Sequence, residues 1–153
     1  MTTAEVLQRS SLFREFSETG LAIFASIASE RSVPAGAPIF AENMVGESLF
    51  IVKSGSVRIT VRDGQGERTL AVLGPGEHVG ELALLARTVR LASAVAETAC
   101  ELVEIAQRDY YRLQPQKPQA CLKLALAIAA DLARKSAESR EDLRGMAGHR
   151  GQA

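Results

Sequence analysis

The chain has 153 residues, 46% of them hydrophobic and 24% charged, and its eighteen basic residues are balanced by eighteen acidic ones. That length predicts one domain, which buries roughly 70% of its unfolded surface without staples. The absence of a basic excess argues against a general nucleic-acid binder and against an anionic membrane surface.

The first twenty residues are broken up by Glu5, Arg9, Arg14, Glu15 and Glu18, so they hold no signal-peptide core. Leu7, Leu12, Phe13 and Phe16 anchor a helical opening segment, 1–30. Within it Ser17 is placed to cap a helix running toward Ser29, with Leu21, Phe24 and Ile27 on one face. No stretch approaches the roughly 20 apolar residues of a membrane span. The most apolar one, Ala120 to Ala130, contains Lys123. A cytoplasmic protein is expected. Cys100 and Cys121 form no CxxC pair and read as reduced, buried thiols.

From Arg31 the texture changes to short apolar runs punctuated by Pro34, Gly36, Pro38 and Gly46. Ser48 to Lys53 is a strand run ended by Gly55, and Val57, Ile59 and Val61 alternate with polar partners as in a half-buried strand. Asp63-Gly64-Gln65-Gly66 is a tight hairpin turn, and Arg68 to Leu73 is the returning strand. Gly74-Pro75-Gly76 turns the chain again, and Ala92–Ala96 and Cys100–Ile105 are two later strands. Many short strands with regular turns predict a sandwich or jelly-roll barrel over 31–106. One segment departs from this pattern: Gly80 to Leu85 is rich in helix formers and has no β-branched residue.

Gln107 to Leu113 reads as a short helix, and Pro118 opens a long one reaching about Glu141. Two stripes run along the long helix: Leu122, Leu126, Ala129 and Ala133, and Leu124, Ile128 and Leu132. Small residues at 125, 129, 130 and 133 permit close helix approach, so a homodimer through the 119–141 helix and simple packing on the barrel are both open. The tail, 142–153, carries Gly145, Gly148 and Gly151 and reads as disordered.

The departing segment holds a set of parts suited to a cyclic phosphodiester. Such a ligand carries one negative charge over two exocyclic oxygens, which a planar guanidinium matches with paired hydrogen bonds. A helix start adds free N–H donors, and a carboxylate is the strongest acceptor for a ribose hydroxyl. In Gly80-Glu81-Leu82-Ala83, Gly80 permits close backbone approach, Glu81 is the acceptor, and Leu82 and Ala83 present N–H groups. Arg90 is the cation nine residues on, followed by Leu91, Ala92 and Ser93. Arg87 is an alternative phosphate ligand.

The segment 80–93 resembles the phosphate-binding cassette of the cyclic nucleotide-binding domain family, in which a Gly-Glu-Leu-Ala-Leu run precedes an Arg-Ala-Ala/Ser sequence. The likeness extends to Leu12-Phe13, Pro34-Ala35-Gly36, Phe50 to Val57 and Leu73 to Glu77, and so spans about residues 10–135. It implies an eight-stranded jelly-roll barrel with N-terminal helices, a short cassette helix and C-terminal helices, all one domain. It also implies that Glu81 holds the ribose hydroxyl and Arg90 the cyclic phosphate, with the 107–141 helices as lid and hinge. Arg134 is a candidate to reach the base. Val79 stands where an aromatic is usual, and Leu91 where Ala, Ser or Thr is common. Leu91 lacks the hydroxyl that contacts guanine in members selective for cGMP, which favours cAMP.

The implied role is a sensor that passes a movement of the C-terminal helix to a separate protein partner. A winged helix for DNA is not expected after Glu141, nor is a channel or kinase. A metal cofactor and a catalytic site are not expected either, because His78 and His149 are the only histidines and no nucleophile–base pair is visible. The rival reading is a degenerate domain serving as a ligand-independent interaction module, with Leu91 crowding the pocket. A cyclic dinucleotide stays open as a ligand.

Overall fold

The computed structural model describes the backbone of residues 1–151 and the side chains of residues 1–138. Hydroxyl caps set the N-terminal helices. Thr2 Oγ1 accepts from the Glu5 amide at 3.2 Å to start α1 (Thr3–Arg9), and Ser10 caps a 3-10 turn, Ser11–Phe13. Ser17 Oγ accepts from the Gly20 amide at 3.2 Å to start α2 (Glu18–Ile27). This helix ends two residues short of Ser29, because Ser29 already pairs with Glu104.

Eight strands follow: β1 (Ser29–Val33), β2 (Pro38–Phe40), β3 (Ser48–Ser54), β4 (Val57–Asp63), β5 (Gly66–Leu73), β6 (His78–Val79), β7 (Ser93–Ala96) and β8 (Cys100–Ala106). They form two antiparallel four-stranded sheets, ordered β1-β8-β3-β6 and β2-β7-β4-β5, the jelly roll expected from the strand spacing. Between β6 and β7 lies a single helical turn, α3 (Leu82–Leu85). The alternation read in β4 holds only in part: Thr60 is buried beside Val57. Opposite it β5 carries an extra residue, since Ile59 faces Ala71 and Thr60 faces Thr69, and this bulge shifts the facing of the strand.

The strand β3 is apolar on both faces and divides the core. Phe50 and Val52 point between the sheets with Val33, Val57, Ala94, Ala96 and Leu102. Leu49 and Ile51 point the other way, into a layer of helices with Leu7, Phe13, Phe24, Leu84 and Ile105. Inward alternation along β8 from Cys100 and Leu102 brings Glu104 to the barrel mouth, where its Oε2 accepts from Ser48 Oγ at 2.6 Å.

The C-terminal helices α4 (Gln107–Leu113) and α5 (Pro118–Gly151) complete the helical layer. Tyr110 donates to the Cys121 carbonyl at 2.7 Å and ties them together. Cys121, Leu124, Ile128 and Asp131 are the buried stripe of α5, whereas Leu122 and Leu126 stand 59% and 62% exposed on the other side. The described helix runs beyond the expected stop near Glu141, through Leu143, Met146 and Ala147, which are good helix formers. Residues 152–153 of the expected tail lie outside the described residues. Cys100 and Cys121 are free and buried, and burial pushes both thiols up. Among the described residues no helix is long and apolar enough to cross a membrane.

Candidate functional site

Two loops place Arg90. The Arg90 amide donates to the Met44 carbonyl at 2.7 Å, its own carbonyl accepts from Asn43 at 2.8 Å, and Gly46 N donates to Thr88 O at 2.9 Å. A bridge between Val45 and Val89 closes this zipper. The side chain then turns inward to 8% exposure, its guanidinium 4.1 Å above the Phe40 ring. Nη2 donates to the Ser48 carbonyl at 2.7 Å and Nη1 to the Gly80 carbonyl at 3.4 Å. Nε is buried with no partner.

Two glycines clear the space. A Cβ at Gly46 would sit 2.9 Å from Arg90 Cζ, and one at Gly80 would overlap Nη1. Gly80 also has a φ of 82°, which a side chain disfavours. Burial lowers the Arg90 pKa, and Glu81, Glu104 and Glu47 oppose that through their charge. Arginine nevertheless stays cationic at neutral pH. Among the described residues no carboxylate lies within ion-pair distance of it.

Arg90 borders a cavity of about 240 Å³. Of the residues singled out from sequence, Gly80, Glu81, Leu82, Ala83, Arg90, Leu91 and Ala92 line it together. Ser93 does not: it sits in β7 with its Oγ accepting from the Glu42 amide at 2.9 Å. Arg87 is exposed and also lies outside the lining. Of the two N–H groups expected to be free, that of Ala83 is taken by the Gly80 carbonyl at 3.1 Å. Because α3 is one turn long, its dipole is small and the positive charge at the cavity comes from side chains, Arg90 and Lys135. Leu91 stands at the rim, 82% exposed, with Val89 at 48%. The side chain expected to crowd the pocket therefore points largely to solvent.

Glu81 opens α3 and is only 5% exposed. Its partners come from elsewhere in the chain. Lys135 of α5 donates from Nζ to Glu81 Oε1 at 2.7 Å and lies 3.1 Å from Asp131 Oδ2. His78 Nε2 is 3.1 Å from the same Asp131 oxygen and 3.9 Å from Glu81 Oε2, and Arg134 donates to Asp131 Oδ1 at 2.5 Å. Burial works against the Asp131 charge, yet hydrogen bonds led by His78 outweigh it and hold this carboxyl at about 2. For Lys135, burial lowers the pKa but Glu81 and Asp131 more than compensate, so the net movement is upward.

His78, Glu81 and Asp131 present ligand atoms within 4.8 Å of one another, a spacing that suits a metal ion. The Lys135 ammonium and the Arg134 guanidinium together already balance the two carboxylates, so the cluster has little demand for one. The α5 residues on the cavity wall are Leu132 and Lys135. Arg134, singled out for the base, lines a separate cleft with Arg9, Arg14 and Glu77. A larger cleft of about 450 Å³ between α2 and the start of α5 contains no facing acid and base, and its Lys123 donates to the Glu15 carbonyl.

Sequence reading missed Phe40, Ser48, Glu104, His78, Asp131 and Lys135. Ser48 acts through its carbonyl, which leaves no trace in residue type. The alternation of β8 carried a signal for Glu104, an acid on an otherwise apolar face.

The jelly-roll frame thus carries a buried guanidinium, Arg90, and a buried carboxylate, Glu81, on the wall of one cavity. Residues 30–116 match the cyclic nucleotide-binding domain family, and the chain belongs to that family. The cyclic AMP receptor protein of Thermus thermophilus is 39% identical over 82% of this chain and 59% of its own length. Glutaminase 2 of Bradyrhizobium diazoefficiens is 34% identical over 90% of this chain and 22% of its own. The crystal structure of the Thermus thermophilus catabolite activator protein superposes with a TM-score of 0.80 at 37% identity, covering 90% of this chain and 63% of that one. The chain thus spans less than two thirds of these relatives.

Proposed function

We propose that the chain is a non-enzymatic sensor of a cyclic mononucleotide, with cAMP preferred over cGMP. The observation that carries this reading is Arg90, a buried cation with an unpartnered Nε and no carboxylate in ion-pair range among the described residues. A buried charge with no direct ion-pair partner is costly, and a phosphate in the adjoining cavity lowers that cost. Arg90 takes the cyclic phosphate, and Glu81 accepts from the ribose 2′-hydroxyl. The preference for cAMP is supported by the apolar Leu91 and by the name of the Thermus relative. Exposure of Leu91 weakens the steric case for a degenerate module. Leu132 and Lys135 connect the cavity to α5, which passes occupancy to a protein partner.

Calorimetric titration with cAMP and cGMP tests the reading. We expect the wild type to bind cAMP more tightly, and Arg90→Ala to lose about 30-fold or more, since truncating a buried charge partner costs about 2–5 kcal/mol. A ligand at 100 times its dissociation constant also stabilises by about 2.7 kcal/mol, a clear thermal shift. No heat and no shift with either nucleotide would remove the sensor reading.

A further inference from the structure

We infer that Lys135 is a positioning residue for the ligand, holding the Glu81 carboxylate in place to accept from the ribose hydroxyl. This rests on the cyclic nucleotide reading of Glu81. The two oxygens of this buried carboxylate are not equivalent. Oε1 accepts from Lys135 Nζ at 2.7 Å, whereas Oε2 lies 3.9 Å from His78 Nε2, whose hydrogen bond is to Asp131. A carboxylate with one oxygen pinned by an ammonium is held in a single orientation as an acceptor.

The ammonium is itself fixed. Asp131, one helical turn before it, lies 3.1 Å away, and the second Asp131 oxygen is taken by Arg134. Lys135 therefore reaches the cavity from α5 with its head clamped between two buried carboxylates. The charge balance says whether it stays when ligand arrives. With Lys135 in place the bound cavity is neutral: phosphate against Arg90, Glu81 against Lys135. With Lys135 displaced, two anions would face one guanidinium in a half-closed site, where unpaired charge is expensive. Lys135 is thus retained in the complex, and it links the ribose end of the ligand to α5.

The probes are cAMP and 2′-deoxy-cAMP, titrated into wild type, Lys135→Met, Lys135→Arg and Glu81→Gln. Thermal melts verify that each variant folds. The wild type should prefer cAMP over the deoxy analogue by about ten-fold or more, the scale of a hydrogen bond to a charged group. In Lys135→Met that preference should shrink to about three-fold or less, mainly through weaker cAMP binding, and Lys135→Arg should restore it. Glu81→Gln should abolish the preference, and adding Lys135→Met to it should change nothing further.

An undiminished preference in Lys135→Met overturns the inference while the sensor reading stands. So does tighter cAMP binding, which would make Lys135 a competitor of the ligand. A wild type that binds neither nucleotide defeats the sensor reading, and this inference with it.

Discussion

Arg90 owes its position to neighbours that have no chemistry of their own. Gly46 and Gly80 leave the volume its guanidinium fills, and Gly80 adds a backbone angle that side chains disfavour. Gly80→Ala should cost about 1–3 kcal/mol of stability through strain and overpacking and should weaken cAMP binding as Arg90 is pushed aside. Chemical denaturation and calorimetry on one preparation measure both. Leu91→Ala is the contrasting case. Because Leu91 is 82% exposed, its truncation should leave stability within about 0.5 kcal/mol. A large gain in affinity in that variant would mean that Leu91 does obstruct the cavity.

At the scale of elements, the junction between α3 and α5 is a charge cluster. Asp131 ionises at about 2 in the folded chain against an ordinary value of 3.8. A depressed carboxyl pKa favours the folded state above the unfolded pKa, and the benefit is lost as pH falls through the folded one. Wild type should therefore lose melting temperature between about pH 4 and pH 2 more steeply than Asp131→Asn, the difference isolating this group from the other carboxylates. Parallel curves would show that Asp131 does not stabilise the α5 junction.

This junction also marks the limit of what the sequence reveals. Glu81 and Arg90 were legible because ten residues of local chain carry both. The hairpin at Gly64-Gln65 and the bounds of α4 were legible for the same reason, being written in turn and helix chemistry within a few residues. Lys135 reaches Glu81 across 54 positions, and nothing local to 130–138 separates it from Arg134. Which of two adjacent cations faces the cavity depends on the rotation of α5, and that is set by Cys121, Leu124 and Ile128 packing on the barrel.

At the scale of the molecule, the buried stripe of α5 leaves Leu122 and Leu126 on the opposite side, continued by the exposed Ala129 and Ala133. Their spacing of four and three residues is that of a helix–helix seam. If a second copy of the chain covers it, the Leu122→Glu, Leu126→Glu double variant should sediment as a monomer where the wild type sediments as a dimer. Identical sedimentation of the two would leave the stripe as plain surface.

The doubly buried β3 has a different consequence. Leu49 and Ile51 belong to the core under the helices, while Phe50 and Val52 belong to the core between the sheets. No cut through the molecule separates the two without exposing alternate residues of one strand. The helical layer and the barrel should therefore melt together, with helix-sensitive and sheet-sensitive signals following one curve and calorimetric and van't Hoff enthalpies agreeing.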